Sequence, residues 1–159
     1  KQWILMAGGL LSAVLLSHGV SAAELPVAAD LQGDGRQAHA EHLPLLVFFS
    51  ARSCHYCEQM RSLFLEPMYS SGEYAGKVIM REVQVESGRT LRDFKGKKVS
   101  HADFAHRSGV ALTPQILFFD PAGMELVPSL VGLSTPELFS GYLEEAIDAA
   151  LARMRALHP

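Results

Sequence analysis

The sequence is poor in cysteine. It has only two in 159 residues, Cys54 and Cys57, three positions apart. A disulfide-stapled scaffold is thereby excluded, because a bridge across so small a loop removes little unfolded-state entropy. A tetrahedral zinc site is disfavoured too. It needs about four ligands, usually in paired Cys and His spacings, and His39, His42, His101 and His106 form no second pair. Charge of one sign is also lacking: 14 Lys and Arg stand against 17 Asp and Glu, a net charge of -3. With the basic residues spread along the chain, no nucleic-acid partner is expected. No internal repeat or low-complexity tract is present. The length suits one domain with a real core, and 48% hydrophobic residues suffice to build it.

Between Lys1 and Glu24 there is no Asp, Glu, Lys or Arg. A basic first residue, an apolar centre from Trp3 to Leu16 and the small residues Val20-Ser21-Ala22-Ala23 read as a secretory signal peptide over 1–23, cut after Ala22 or Ala23. An uncleaved anchor is the alternative, although the apolar run is shorter than the roughly 20 residues that span a bilayer. The expected location is the periplasm, with 24–159 as the working domain. An exported chain with just this one closely spaced pair points to cysteines used for chemistry rather than for stapling.

Beyond the leader, Gly33-Asp34-Gly35 reads as a turn and Arg36 to His42 as a short helix. Leu45 to Phe49 is a continuous apolar run of strand length, the pattern of a central strand covered on both faces. Cys54 opens a helix with apolar Met60, Leu63 and Phe64, which Pro67 stops or kinks. Val78 to Val85 reads as a second strand and Glu86 to Val99 as a polar excursion carrying Lys95, Lys97 and Lys98. Ser100 followed by Asp103 caps a helix that Gly109 ends. Gln115 to Phe119 and Glu125 to Leu130 are strands joined by the turn Asp120-Pro121-Ala122-Gly123, so they should be antiparallel. Ser134 caps a last helix to about Leu157, with Leu138, Phe139, Tyr142, Leu143, Ile147 and Leu151 as its packing stripe. The order predicts an α/β fold, a mixed central sheet flanked by helices.

Disulfide exchange needs a thiolate, and a helix N-terminus lowers a thiol pKa. Cys54 stands where the buried strand hands over to a helix, so it is the expected nucleophile. Cys57, one turn on, is the expected resolving thiol. Imidazolium at His55 would stabilise the Cys54 thiolate, while His55 and Tyr56 as plain surface cover is the other reading. Covalent haem attachment is excluded because Glu58, not His, follows the second Cys. Cu(I) held by the two thiolates stays open as a second function, as does a client-holding module without turnover. The other histidines read as surface residues. No metal or cofactor is expected.

From about Leu45 to Leu151 the chain resembles the thioredoxin superfamily, in particular its periplasmic thioredoxin-like branch that includes the SoxW-like proteins. The resemblance rests on Val47 to Cys57, on Ser108-Gly109-Val110-Ala111-Leu112-Thr113-Pro114, on Phe118 to Gly123, and on Val131-Gly132-Leu133. It implies a cis Pro114 facing the cysteines and a Thr113 backbone that pairs with an extended substrate. From the residues alone, Pro114 could equally be a trans proline at a strand start. Two departures matter. Ser53 and His55-Tyr56 replace the family's Trp before the first Cys and its Gly-Pro pair, and Phe48 stands where the cytosolic reductases carry a buried acid. The resemblance implies a thiol-disulfide oxidoreductase acting on a protein or small thiol or disulfide, reduction slightly favoured over oxidation. His55, Tyr56 and Thr113 resemble the periplasmic oxidase and isomerase branches, and a potential as reducing as thioredoxin's is not carried over. The SoxW-like relatives imply a membrane electron donor, and a monomer is the expectation. A dimeric isomerase would need an added dimerisation region, for which about 20 residues ahead of the first strand leave little room.

Overall fold

The computed structural model describes residues 23–133 and 135–157. The expected signal peptide, except for Ala23, and the expected Ser134 cap lie outside them. Among the described residues no helix is long and apolar enough to cross a membrane.

Helix α1, Leu31–Glu41, precedes strand β1, Leu45–Ser50. Its start lies further upstream than the glycines suggest. The Asp30 side chain accepts the Gly33 N–H at 3.0 Å, a cap that carries Gly33-Asp34-Gly35 into the helix, where a turn is predicted. Gly35 is required there for a different reason. A Cβ at this position would sit 2.6 Å from the Pro121 carbonyl oxygen. Alanine normally gains about 1 kcal/mol over glycine inside a helix, but this backbone clash costs about 1–3 kcal/mol. Gly35→Ala is therefore expected to lower stability, read as a lower urea midpoint, by up to about 2 kcal/mol.

After β1 come helix α2, His55–Met60, a π-helical turn, Arg61–Leu65, and helix α3, Glu66–Ser71. Pro67 neither stops this run nor breaks it. The widened turn, in which Glu66 N–H reaches the Arg61 carbonyl, absorbs a residue that cannot donate. Strand β2, Ile79–Gln84, follows, and then the predicted polar excursion, which contains a hairpin of β3, Thr90–Arg92, and β4, Lys98–Ser100. Its turn is closed by Asp93, whose carboxylate accepts the N–H groups of Lys95 and Lys97. Helix α4, His101–Arg107, is capped by Ser100, whose hydroxyl accepts the Asp103 N–H, and Gly109 leaves it at φ 74°. Strands β5, Gln115–Phe119, and β6, Glu125–Val131, and helix α5, Pro136–Leu157, complete the chain.

The main sheet runs β2-β1-β5-β6, with β1 parallel to β2 and antiparallel to β5. Every residue of β1 is buried, as its unbroken apolar run requires. Alternation sorts the side chains. Leu46, Phe48, Met80, Ile116 and Phe118 meet Cys57, Met60 and the α5 residues Phe139, Leu143 and Ile147. Leu45, Val47, Phe49, Ile79 and Leu117 meet Leu31 and Ala38 of α1 and Phe104 of α4. The α5 stripe is narrower and longer than predicted: Leu138 and Tyr142 are exposed, while Ala150 and Met154 are buried. His101, predicted on the surface, is buried as well. Its Nδ1 accepts the Gln84 N–H and its Nε2 donates to the Ala28 carbonyl, fixing the neutral ring, and burial holds its pKa below the usual value.

Candidate functional site

The buried strand β1 ends at Ser50, and the chain must then turn sharply to enter α2. Ser53 makes that turn in the left-handed region, at φ 55°. Arg52 anchors the loop to Glu86, its N–H donating to the carboxylate at 3.1 Å and its guanidinium to the carbonyl at 2.7 Å. Cys54 is thereby delivered to the N-cap of α2, where its sulfur accepts the Cys57 N–H at 3.1 Å. That donor and the free N–H groups of the first turn favour negative charge on this sulfur.

The two sulfurs are bonded to each other, with Cα atoms 5.2 Å apart. They differ in access: Cys57 is 1% exposed in the core under α2, whereas Cys54 is half-buried. Cys54 thus meets solvent and Cys57 does not. A cleft of about 690 Å³ opens beside them, lined by Ser50, Arg52, Glu58, Arg61, Gln84 and Arg89 among others. Across the sulfurs from a distant loop comes Thr113, whose hydroxyl lies 3.9 Å from the Cys54 sulfur, and the Thr113–Pro114 bond is cis. Exposed Leu112 and Tyr56 flank this surface. The rings of His55 and Tyr56, both exposed, sit 5.8 Å apart.

One part of the site has no counterpart in the sequence reading. Phe48 fills the position of the expected acid, but its register partner on β2 is Glu82. Paired residues share a sheet face, so Glu82 points to the side of α2. It is 2% exposed. Its carboxylate accepts the Ser50 hydroxyl at 2.5 Å, a guanidinium nitrogen of Arg61, and the Gln84 amide at 3.3 Å. Arg61 also holds Glu58 at 2.5 Å and lies over the Phe48 ring, 5.8 Å from its centroid. Burial alone would lower the Arg61 pKa, but Glu82 and Glu58 raise it, and it stays charged. The available signal was the alternation from Val78 to Val85, which puts Glu82 on the same face as the apolar Val78 and Met80.

A half-buried sulfur at a helix N-cap, linked to a buried one a turn later, can accept and pass on a disulfide. The fold agrees with this chemistry. Residues 31–147 match the family described as thioredoxin-like domain. The chain belongs to this family. Solved structures of thioredoxin-like proteins share its fold. A DsbH oxidoreductase has 17% identity and a TM-score of 0.56 over 87% of this chain and 95% of its own. Mitochondrial thioredoxin 3 from Saccharomyces cerevisiae, in its oxidised form, has 16% identity and a TM-score of 0.52 over 78% and 93%. Fasciola hepatica thioredoxin has 18% identity and a TM-score of 0.52 over 78% and 97%. No curated protein matches the chain. A thioredoxin-like domain whose only two cysteines form a C-x-x-C disulfide is a thiol-disulfide oxidoreductase.

Proposed function

We propose that this thioredoxin-like protein reduces disulfides of its substrates outside the cytoplasm, with Cys54 as the attacking thiol and Cys57 as the resolving one. The assignment of roles follows access, since Cys54 meets solvent and Cys57 is buried. Thr113 and Pro114 form the opposite wall against which an extended substrate segment lies. His55 and Tyr56 tune the pair from the exposed start of α2.

The direction rests on one observation: Arg61, the cation one helical turn beyond Cys57, is tied to two carboxylates, Glu58 and Glu82. Uncompensated positive charge near the pair would stabilise the reduced thiolate further and make the disulfide more oxidising. Here the carboxylates cancel that charge, and Glu58 also meets the positive end of α2. The reduced form is left a ready donor of electrons. The apolar leader over 1–23 supports export, and an exported reductase draws its electrons from a donor at the membrane.

Two parallel assays test the direction. Supplied with a dithiol, the protein is expected to reduce a disulfide-bonded protein faster than its oxidised form introduces disulfides into a reduced, unfolded one. The reverse ratio would overturn the proposed direction.

A further inference from the structure

The β3–β4 hairpin gathers positive charge that the exchange chemistry leaves unused. From Arg89 to Lys98 the chain holds Arg89, Arg92, Lys95, Lys97 and Lys98 against a single acid, Asp93, although its net charge is -3. Alternation sorts these residues. Leu91 and Val99 face the core, so Arg92 and Lys98, which are register partners, stand side by side on the outer face. Like charges directly opposite each other on a ladder repel. Asp93 does not relieve them. Its carboxylate turns inward to accept the Lys95 and Lys97 N–H groups, and the cation it approaches is Arg107, at 3.8 Å. Asp30 comes within 3.9 Å of Arg92, but with the same oxygen that caps α1. Lys95, Lys97 and Lys98 are exposed, and their ammonium groups have no ion-pair partner among the described residues.

This surface begins at the sulfurs. Gln84, Glu86, Ser87 and Arg89 line the cleft beside Cys54 and Cys57. The chain is held as it leaves the cleft: the Arg89 N–H donates to the Ser87 hydroxyl at 3.2 Å, and its carbonyl accepts the His101 N–H at 3.0 Å. Strands of three residues, rising about 3.3 Å per residue, then carry the charge roughly 10 Å further to the Lys95–Lys97 turn. A small disulfide at Cys54 does not cover that span, whereas a protein does. The outer face offers nothing apolar to a bilayer. Leu91 and Val99 are buried, and the Phe94 ring packs on those of Phe104 and Phe119, 6.1 and 5.3 Å between centres.

We propose that the β3–β4 hairpin is a docking surface for disulfide-bonded substrate proteins that carry a cluster of Asp and Glu near the bond Cys54 attacks. The inference rests on the exchange reading of Cys54 and Cys57. In the cleft itself Arg61 is neutralised by Glu58 and Glu82, so the free positive charge that reaches toward a substrate comes from the hairpin. Its cations draw an acidic substrate in and hold it in register, and they leave the sulfur chemistry unchanged.

The test uses the reduced full chain, dithiothreitol as electron source, and two synthetic disulfide-bridged peptides that are alike except for a run of Asp or a run of Lys set roughly 10 Å from the bond. At about 0.01 M salt, where the Debye length is about 30 Å, kcat/KM for the Asp peptide is expected to exceed that for the Lys peptide at least about tenfold. At about 1 M salt, where it is about 3 Å, the two should agree within about twofold. The combined variant Lys95→Glu, Lys97→Glu, Lys98→Glu should lose or invert the low-salt preference while reducing a small uncharged disulfide within about twofold of the wild-type rate. The corresponding Gln variant should shrink the preference, and it decides the matter if the Glu variant does not fold. Equal use of both peptides by the wild type at low salt, or a preference that survives in the folded variants, overturns the docking surface. Binding to phosphatidylserine vesicles without a peptide preference overturns it in favour of a lipid partner. A wild-type chain that fails to reduce even the small uncharged disulfide overturns the exchange reading instead.

Discussion

Serine at Cys54 is expected to abolish disulfide exchange, lowering turnover on the order of a thousandfold or more, as removal of a covalent nucleophile does. Serine at Cys57 should act differently. The half-buried Cys54 can still attack, but nothing buried beneath it can attack back, so the substrate stays attached through Cys54. Mass spectrometry of the Cys57→Ser chain after incubation with a disulfide substrate should show one bound substrate per chain, and the Cys54→Ser chain should show none. The asymmetry comes from access: α2 places Cys57 on its core-facing side at 1% exposure, whereas the N-cap keeps Cys54 at the surface. Equal trapping by both variants would mean that the two sulfurs are interchangeable, contrary to that placement.

The second large effect is on stability. Phe48→Ala is expected to cost about 3–5 kcal/mol, read from urea unfolding, the range for removing a fully buried phenylalanine ring. Phe48 is 0% exposed and packs among Cys57, Met60, Ile116 and Leu143. It also supports the Arg61 guanidinium that holds Glu82. Collapse at this position would therefore disturb the floor of the site together with the core. Leu63 is the matched control. It lies on the same helical run but is 59% exposed, so Leu63→Ala should stay within about 0.5 kcal/mol.

The elements that hold the sulfurs were legible because their signals are local and unopposed. Leu45 to Phe49 has no polar residue to suggest any alternative to a buried strand, and the cap residues Ser100 and Asp103 are close enough to each other to be read as a unit. The cysteines were legible from spacing and from the strand and helix on either side of them. Other features depend on partners distant in sequence. Gly33 and Gly35 resemble a turn until Asp30 caps them and Pro121 closes over them. The three-residue strands Thr90–Arg92 and Lys98–Ser100 carry only Leu91 and Val99 as buried residues, too few to show alternation against a polar background. His101 is buried by Ala28 and Gln84, neither of which is its sequence neighbour. The site's acid was missed for the same reason. Position 48 was the place to seek it, and register brings Glu82 beside that place from the adjacent strand.

We propose that the charge-compensated C-x-x-C pair of this thioredoxin-like chain passes electrons to its substrates. The most direct test is the equilibrium reduction potential of Cys54–Cys57 against a glutathione buffer. With Arg61 cancelled by Glu58 and Glu82, a value closer to roughly -270 mV than to roughly -120 mV is expected, and a value near roughly -120 mV would contradict a reducing role.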